Sequence, residues 1–400
     1  MHIAIVNSEY PSPSGCDQGG IATYSYTIAN ILAQIGHKVE ILLREGTVPE
    51  NLHDQVTIHY YKFQPVRKTP SILSLLKKDI TDWELGHSQY IFDLLSKIHQ
   101  QNIIDIAEFP DYGGLAAARK SSCPFPVIIN FHTPSELVDR INQTEFTRSR
   151  KALHSFERKA IYNSNGFRCP SISLRYDICK LYNLKLSDIR IIRNPVSIDH
   201  FNSINKKQKK NRFDILFAGR LERRKGAEML INAIHLLLQI NSSIYLTIAG
   251  NSEPGGEHHY RDALEMSLSR EERSRVYFSG PLTRKNLSIL YCRSSLFLFP
   301  SIFENAPYSL FEAITARLPV LASACSGIKE IIKHKENGLL FKPGNVDDLC
   351  EQVNFALSNY QRCCCMADNA YEELKQINNP QKIATDSLQF YQQVITGFIH

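Results

Sequence analysis

The stretch SIFENAPYSLFEAITARLPV, Ser301 to Val320, sets two carboxylates, Glu304 and Glu312, into an otherwise largely apolar run. On one unbroken helix they would stand about two turns apart, roughly 12 Å, too far to cooperate on one atom. Pro307 between them predicts another arrangement. Proline favours the first helical position, which puts Glu304 on the loop before a helix and Glu312 in its second turn. The amides of Ala306, Tyr308 and Ser309 then lie at a helix end that suits an anion. One carboxylate before an anion site and one beside it fit a ligand with phosphate in its middle and hydroxyls at both ends. The competing reading is a helix-flanking acid and a surface acid. The apolar neighbours Phe303, Leu310 and Phe311 weigh against it, because an acid without partners is costly there.

A second group is GRLERRKG, Gly219 to Gly226. Arg220 and Lys225 at a strand end suit a diphosphate and the charge that develops as it leaves; a solvated basic turn is the alternative. Gly19-Gly20 lets backbone approach a ligand, and the helix it opens adds N-terminal amides; a flexible loop would look the same. His132 ends an apolar run, as a packed bystander or as a ligand to substrate hydroxyls. Glu108 and Asp111, with Tyr112 beside them, gather at the loop where another strand-like run ends, and there they bind polyol hydroxyls or cap the next helix. His258-His259 has no acidic cluster at ligand spacing and reads as a surface turn. No G-x-G-x-x-G follows the first strand, which counts against a dinucleotide oxidoreductase.

These residues need strands to carry them. Short apolar runs recur at 3–6, 39–43, 56–61, 103–109, 126–132, 166–171 and 189–195. After the polar, lysine-rich stretch 202–211 they resume at 213–219, 244–250, 275–280, 296–301, 319–323 and 338–343. Helical patterns such as Ala22–Ile35 and Tyr90–His99 lie between them. This alternation predicts an α/β protein of two parallel-sheet, Rossmann-like domains facing a cleft. The first spans 1–195 and the second 196–379. A final helix within 380–400, apolar at Leu388, Tyr391, Val394 and Ile395, packs back on the first. Ligands of such sheets bind at the C-terminal ends of the strands, where the polar and glycine-rich candidates of both halves gather.

The 400 residues favour two domains. The net charge of +6 is modest and dispersed, and no reader motif appears, so nucleic acid is not an expected partner. The KKQKK run at 206–210 reads as a solvated linker. Ten cysteines without a C-x-x-C pair fit reduced thiols and a cytoplasmic location. No apolar run reaches the roughly 18 residues of a membrane helix. The basic and apolar stretch 60–78 reads as a solvated helix or as a surface that touches an anionic membrane and reaches a lipid-linked acceptor.

Taken together, the motifs resemble those of the GT-B glycosyltransferases of the retaining family 4 type, in order and over nearly the whole chain. ENAPYSLFE is similar to that family's E-x7-E element, and GRLERRKG to its phosphate-binding element. GGIATYSYTIANILAQIGHKVEIL, IIRNPVSIDHF and PVLASACSGIKEIIKHKENGLLFKPGNVDDL resemble its glycine loop, domain crossing and C-terminal half-motif. The resemblance implies a nucleotide-diphosphate-sugar donor, with Arg220 and Lys225 on the diphosphate and the Gly19-Gly20 loop closing over it. It implies Glu312 on the ribose, and Glu304 beside the donor sugar with the backbone of Asn305, Ala306, Pro307 and Tyr308. His132 would lie next to that sugar, and the base near Gly280, Pro281 and Leu282. It further implies retention of configuration, no metal and no cofactor, and transfer to a sugar or lipid-linked acceptor in polysaccharide, glycolipid or other glycoconjugate synthesis. An epimerase or hydrolase on the same fold and a non-catalytic sugar-nucleotide binder are the competing readings. Arg317 stands where the family usually has glycine, which implies slight strain if the position needs positive φ.

Overall fold

The computed structural model describes residues 1–7, 19–44, 53–61, 80–197, 211–250 and 260–399. Residues 206–210, most of the stretch 60–78 and the His258-His259 pair lie outside the described residues.

Strand-like runs without alternation call for sheets covered on both faces, and the chain builds two of them. The first holds seven parallel strands: β1 (His2–Val6), β2 (Lys38–Arg44), β3 (Val56–Tyr61), β4 (Ile106–Pro110), β5 (Val127–Asn130), β6 (Gly166–Cys169) and β7 (Ile189–Ile191). Their order is β3-β2-β1-β4-β5-β6-β7, and every residue of β1, β4 and β5 is buried. The second holds six: β8 (Phe213–Ala218), β9 (Ile244–Ala249), β10 (Val276–Gly280), β11 (Leu296–Phe299), β12 (Val320–Ser323) and β13 (Leu339–Phe341), in the order β10-β9-β8-β11-β12-β13. Successive strand residues face opposite sides. Ile215, Phe217 and Leu298 thus join one core layer with Leu230 and Val353. Leu216, Phe297 and Phe299 join the other with Leu310 and Ile314.

The contacts divide the chain into two compact units. One contains the first sheet and the chain from Pro380 onward; the other contains Val196–Asn379. The terminal helix runs Pro380–Ile399, within the expected 380–400. It packs within the first unit: the Tyr391 hydroxyl donates to Glu108 at 2.6 Å, and Arg168 donates to Ser387 at 2.9 Å.

Each strand-like run of the sequence becomes a strand, usually shortened at its C-terminal end. His132 therefore sits two residues beyond β5, not at its end. The helix patterned over Tyr90–His99 extends to Ile80–Gln101. Pro307 is also shifted: it caps the helix Tyr308–Thr315 instead of starting it, with φ −76° and ψ 121°. Its carbonyl accepts the amides of Leu310 and Phe311, so the proline supplies an acceptor at a position where its missing N–H costs nothing. At the other end of that helix Arg317 has φ 52°. Its amide donates to Ile314 and the next amide, of Leu318, to Ala313, a paired closure that demands the left-handed conformation. The side chain gains partners there, with Asp368 at 2.6 Å and the Tyr371 ring at 4.0 Å.

Candidate functional site

In the second sheet β8 and β11 are neighbours, while the chain moves outward in opposite directions from them. That is a topological switch point, where the loops after the two strands part and leave a crevice. GRLERRKG follows β8 and PSIFENAPY follows β11. Gly226 brings the two loops together. It has φ +83°, and a Cβ on it would stand 2.2 Å from the Pro300 carbonyl oxygen. No other residue type meets both conditions. The Ile302 amide then donates to the Arg224 carbonyl at 2.9 Å.

The consequence is a compact cluster of charge. Lys225 Nζ donates to Glu304 Oε1 at 2.5 Å, Arg224 stands 3.5 Å from the same oxygen, and Ser301 Oγ donates to it at 3.2 Å. Glu222 takes Arg224 at 2.7 Å and Arg220 at 3.6 Å. The side chain of Arg220 is 55% exposed, against 16% for Lys225 and 4% for Glu304, so one cation reaches solvent and the others are recessed. Burial pushes the Lys225 ammonium below the ordinary lysine range; Arg224 adds to this and Glu304 opposes it. Burial, with the Glu304 charge, pushes the Cys325 thiol up to about 12, so it stays neutral. Gly327 holds the Glu304 loop from the far side. Its amide donates to the Glu304 carbonyl at 2.9 Å, and a Cβ there would stand 2.3 Å from the Asn305 carbonyl.

Next to the cluster, the Asn305 side chain accepts the Ala306 amide, and Pro307 opens the helix whose first turn carries Tyr308. Glu312 lies in the second turn. Burial raises its pKa, while Arg284 and the Tyr291 hydroxyl oppose the shift. Both belong to the helix Arg284–Arg293, capped by Thr283. That helix directly follows Gly280 and Leu282. Gly280 has φ 67°, and its carbonyl accepts the Gly250 amide at 3.0 Å. Glu312 and the Gly280–Leu282 turn are thus joined by one short helix.

The first unit alters the reading of its candidates. Gly19 and Gly20 are exposed at the start of the helix Gly20–Gln34, and Gly19 has φ −82°, so what they provide is a missing side chain rather than an unusual backbone. Glu108 is not an acceptor ligand. It is 2% exposed, Tyr24 and Asn130 donate to one oxygen at 2.7 and 3.1 Å, and Tyr391 donates to the other at 2.6 Å. Asp111 is not available to hydroxyls either, nor does its side chain cap the next turn. It is 1% exposed and accepts the His132 and Thr133 amides, both at 3.0 Å. Burial pushes it up to about 7. Tyr112, 47% exposed, keeps an open surface. The half-buried His132 ring packs edge-on against Tyr24 at 5.2 Å. Burial, then the Arg168 charge, push it down to about 3, so it is neutral.

Sequence reasoning missed Glu222, Arg224, Ser301, Arg284, Tyr291 and Gly327. Glu222 and Arg224 lie inside a motif it had singled out, where alternation along a turn could have separated recessed from exposed charges. Gly327 had no local signal, because its constraint comes from a loop over twenty positions earlier in the chain. Among the described residues no three His, Cys, Asp or Glu side chains come together as metal ligands, and no helix is long and apolar enough to cross a membrane.

Comparison with known proteins bears on this arrangement. The family model described as Glycosyltransferase Family 4 matches residues 18–200, and that described as Glycosyl transferases group 1 matches residues 199–373. An uncharacterized glycosyltransferase of Methanocaldococcus jannaschii is 25% identical over 98% of both chains. Sucrose-phosphate synthase from Thermosynechococcus elongatus has the same fold, with a TM-score of 0.77 at 18% identity over 99% of both chains. Anabaena HepE, solved with UDP and glucose, superposes with a TM-score of 0.74 at 18% identity, over 98% of this chain and 99% of that one.

Proposed function

The chain belongs to the group 1 glycosyl transferases and has their GT-B fold, and from that premise we propose a retaining, metal-independent transfer of a sugar from a nucleotide-diphosphate donor to an acceptor hydroxyl in glycoconjugate synthesis. The observation that carries it is the charge cluster at the switch point of the second sheet, before the helix Tyr308–Thr315: Lys225 and Arg224 stand around Glu304, and Arg220 pairs with the neighbouring Glu222. A diphosphate there gives Lys225 and Arg220 a doubly charged partner in place of the carboxylates they now hold, and the helix end adds amide donors. Glu304, released from Lys225, is left beside the reacting sugar, where it stabilises the positive charge that grows on the ring. Glu312 grips the ribose, and the Gly280–Leu282 turn takes the base. His132, kept neutral, hydrogen-bonds a sugar hydroxyl.

As the donor bond breaks, negative charge builds on the diphosphate, and fixed cations stabilise it without reorganising. The acceptor hydroxyl attacks from the face the diphosphate leaves, and a departing phosphate oxygen takes its proton. The acceptor is a sugar or a lipid-linked hydroxyl, the latter reached from the cytoplasmic membrane face. The HepE structure holds UDP, which puts UDP-sugars first among donors to test. The experiment is a thermal-shift screen of UDP-, GDP-, ADP- and dTDP-sugars, since a ligand of the folded state raises the melting point. A rise with one nucleotide family supports the reading; none with any of them overturns it. Turnover of the bound donor without any acceptor dependence would favour a hydrolase or epimerase instead.

A further inference from the structure

The turn after β5 is held from both sides by buried acids. Asp111 accepts the His132 amide on one oxygen and the Thr133 amide on the other, both at 3.0 Å. Glu157, fully buried on the helix Arg148–Tyr162, accepts the Ser135 amide at 3.0 Å and the Ser135 hydroxyl at 2.6 Å. It also accepts the Gly113 amide at 3.0 Å, two residues after Asp111. The loops that follow β4 and β5 are therefore tied to each other and to one helix through two carboxylates, with Pro134 between the two gripped segments. Among the described residues no ion pair engages these acids. Asp111 and Glu157 take backbone amides and one hydroxyl, and the Asp111 charge adds to the cost of charging Glu157. Burying them is expensive, and neutral packing would fill the space at lower cost. What two acceptor oxygens per residue supply is a fixed backbone.

The geometry points to Asp111 and Glu157 as positioning residues that hold the His132–Ser135 turn, and with it the His132 ring, in one orientation. The inference rests on the reading that His132 serves the reacting sugar. Tyr24 from the helix Gly20–Gln34 packs edge-on against the His132 ring, Arg168 from β6 acts on it through its charge, and Asp111 holds its backbone amide. Releasing the turn lets water reach the ring and moves it from beneath Tyr24.

The test is NMR titration of the His132 ring in the full chain, which needs no donor. His132→Gln assigns the signal. In the parent protein the ring should stay neutral well below the ordinary histidine value of about 6.5. In Glu157→Gln, which keeps shape but replaces an oxygen that can accept by an NH2 that cannot, its titration should move up toward that value. A parent His132 that titrates normally, or a signal unmoved in Glu157→Gln, overturns the inference. If Glu157→Gln does not fold, Asp111→Asn and Ser135→Ala decide by the same criterion. A role in stability alone would lower the melting point and leave the His132 titration in place. Once a donor is in hand, Glu157→Gln should lower kcat by roughly tenfold to a hundredfold and cost nothing further in a His132→Gln background. If His132→Gln itself keeps full kcat, the functional reading of His132 fails while the NMR result stands.

Discussion

Gly327→Ala adds one methyl group where the chain leaves no room. Its Cβ would stand 2.3 Å from the Asn305 carbonyl oxygen and 2.6 Å from that of Glu304. Gly327 is not among the glycines with positive φ, so the perturbation is spatial alone. Ordinary contact begins near 3.4 Å, so the Glu304 loop must retreat by about 1 Å, a displacement that can lower turnover on the order of a hundredfold. The Gly327–Glu304 hydrogen bond of 2.9 Å opposes that retreat, and overpacking of this kind costs about 1–3 kcal/mol. The 2.5 Å contact of Lys225 with Glu304 would be stretched or lost, while Arg220 and Glu312 stay where they are. The assay is steady-state kinetics with the donor found by the thermal screen, together with the melting temperature of each protein. The expected pattern is a large loss of kcat, a small change in donor KM and a melting point lowered by a few degrees. A folded Gly327→Ala protein with unchanged kcat would refute the view that the position of Glu304 limits turnover.

Glu304→Gln should chiefly lower kcat, on the order of a hundredfold, and Glu312→Gln should raise donor KM with kcat mostly intact; the reverse pattern in the same kinetic assay would exchange their roles. Arg317→Gly should change stability by no more than about 1 kcal/mol in thermal melts, because relief of the left-handed strain offsets the loss of the Asp368 and Tyr371 contacts. Burial pushes Glu157 up to about 8, above its value in the unfolded chain, so its contribution to stability is full at low pH and is lost as pH rises toward 8. Glu157→Gln should therefore lower the melting point more at pH 5 than at pH 9, as calorimetry at the two values would show. Chelation by EDTA should leave the transfer rate unchanged.

The strands and their division into two sheets were legible because parallel strands buried on both faces read as unbroken apolar runs, as IAIV and LFLF do. The switch-point loops were legible for the same reason, since Arg220, Lys225 and Glu304 follow such runs directly. What was not legible depends on distant partners. Glu108 and Asp111 read in the sequence as ligand residues at a strand end; the place of Glu108 in the middle of β4, its bond from Tyr391, 283 positions away, and the amides of His132 and Thr133 on Asp111 reveal them as framework. Glu157 gave no signal, because a glutamate in the basic helix Arg148–Tyr162 looks like half of a surface ion pair. Lys225 and Glu304 were each singled out, but as separate ligand contacts. Their mutual pairing depends on Gly226 passing against Pro300, a contact between loops that no local pattern encodes.

The central claim is that the cluster at the second sheet's switch point binds the diphosphate of a nucleotide. Calorimetric titration of UDP, GDP, ADP and dTDP into the parent protein and into Lys225→Met tests it directly. One nucleoside diphosphate should bind the parent with a single site, and Lys225→Met should weaken it by about tenfold or more, the loss of one charge-assisted hydrogen bond. Binding of equal strength to both proteins, or of no nucleotide to the parent, would contradict the account.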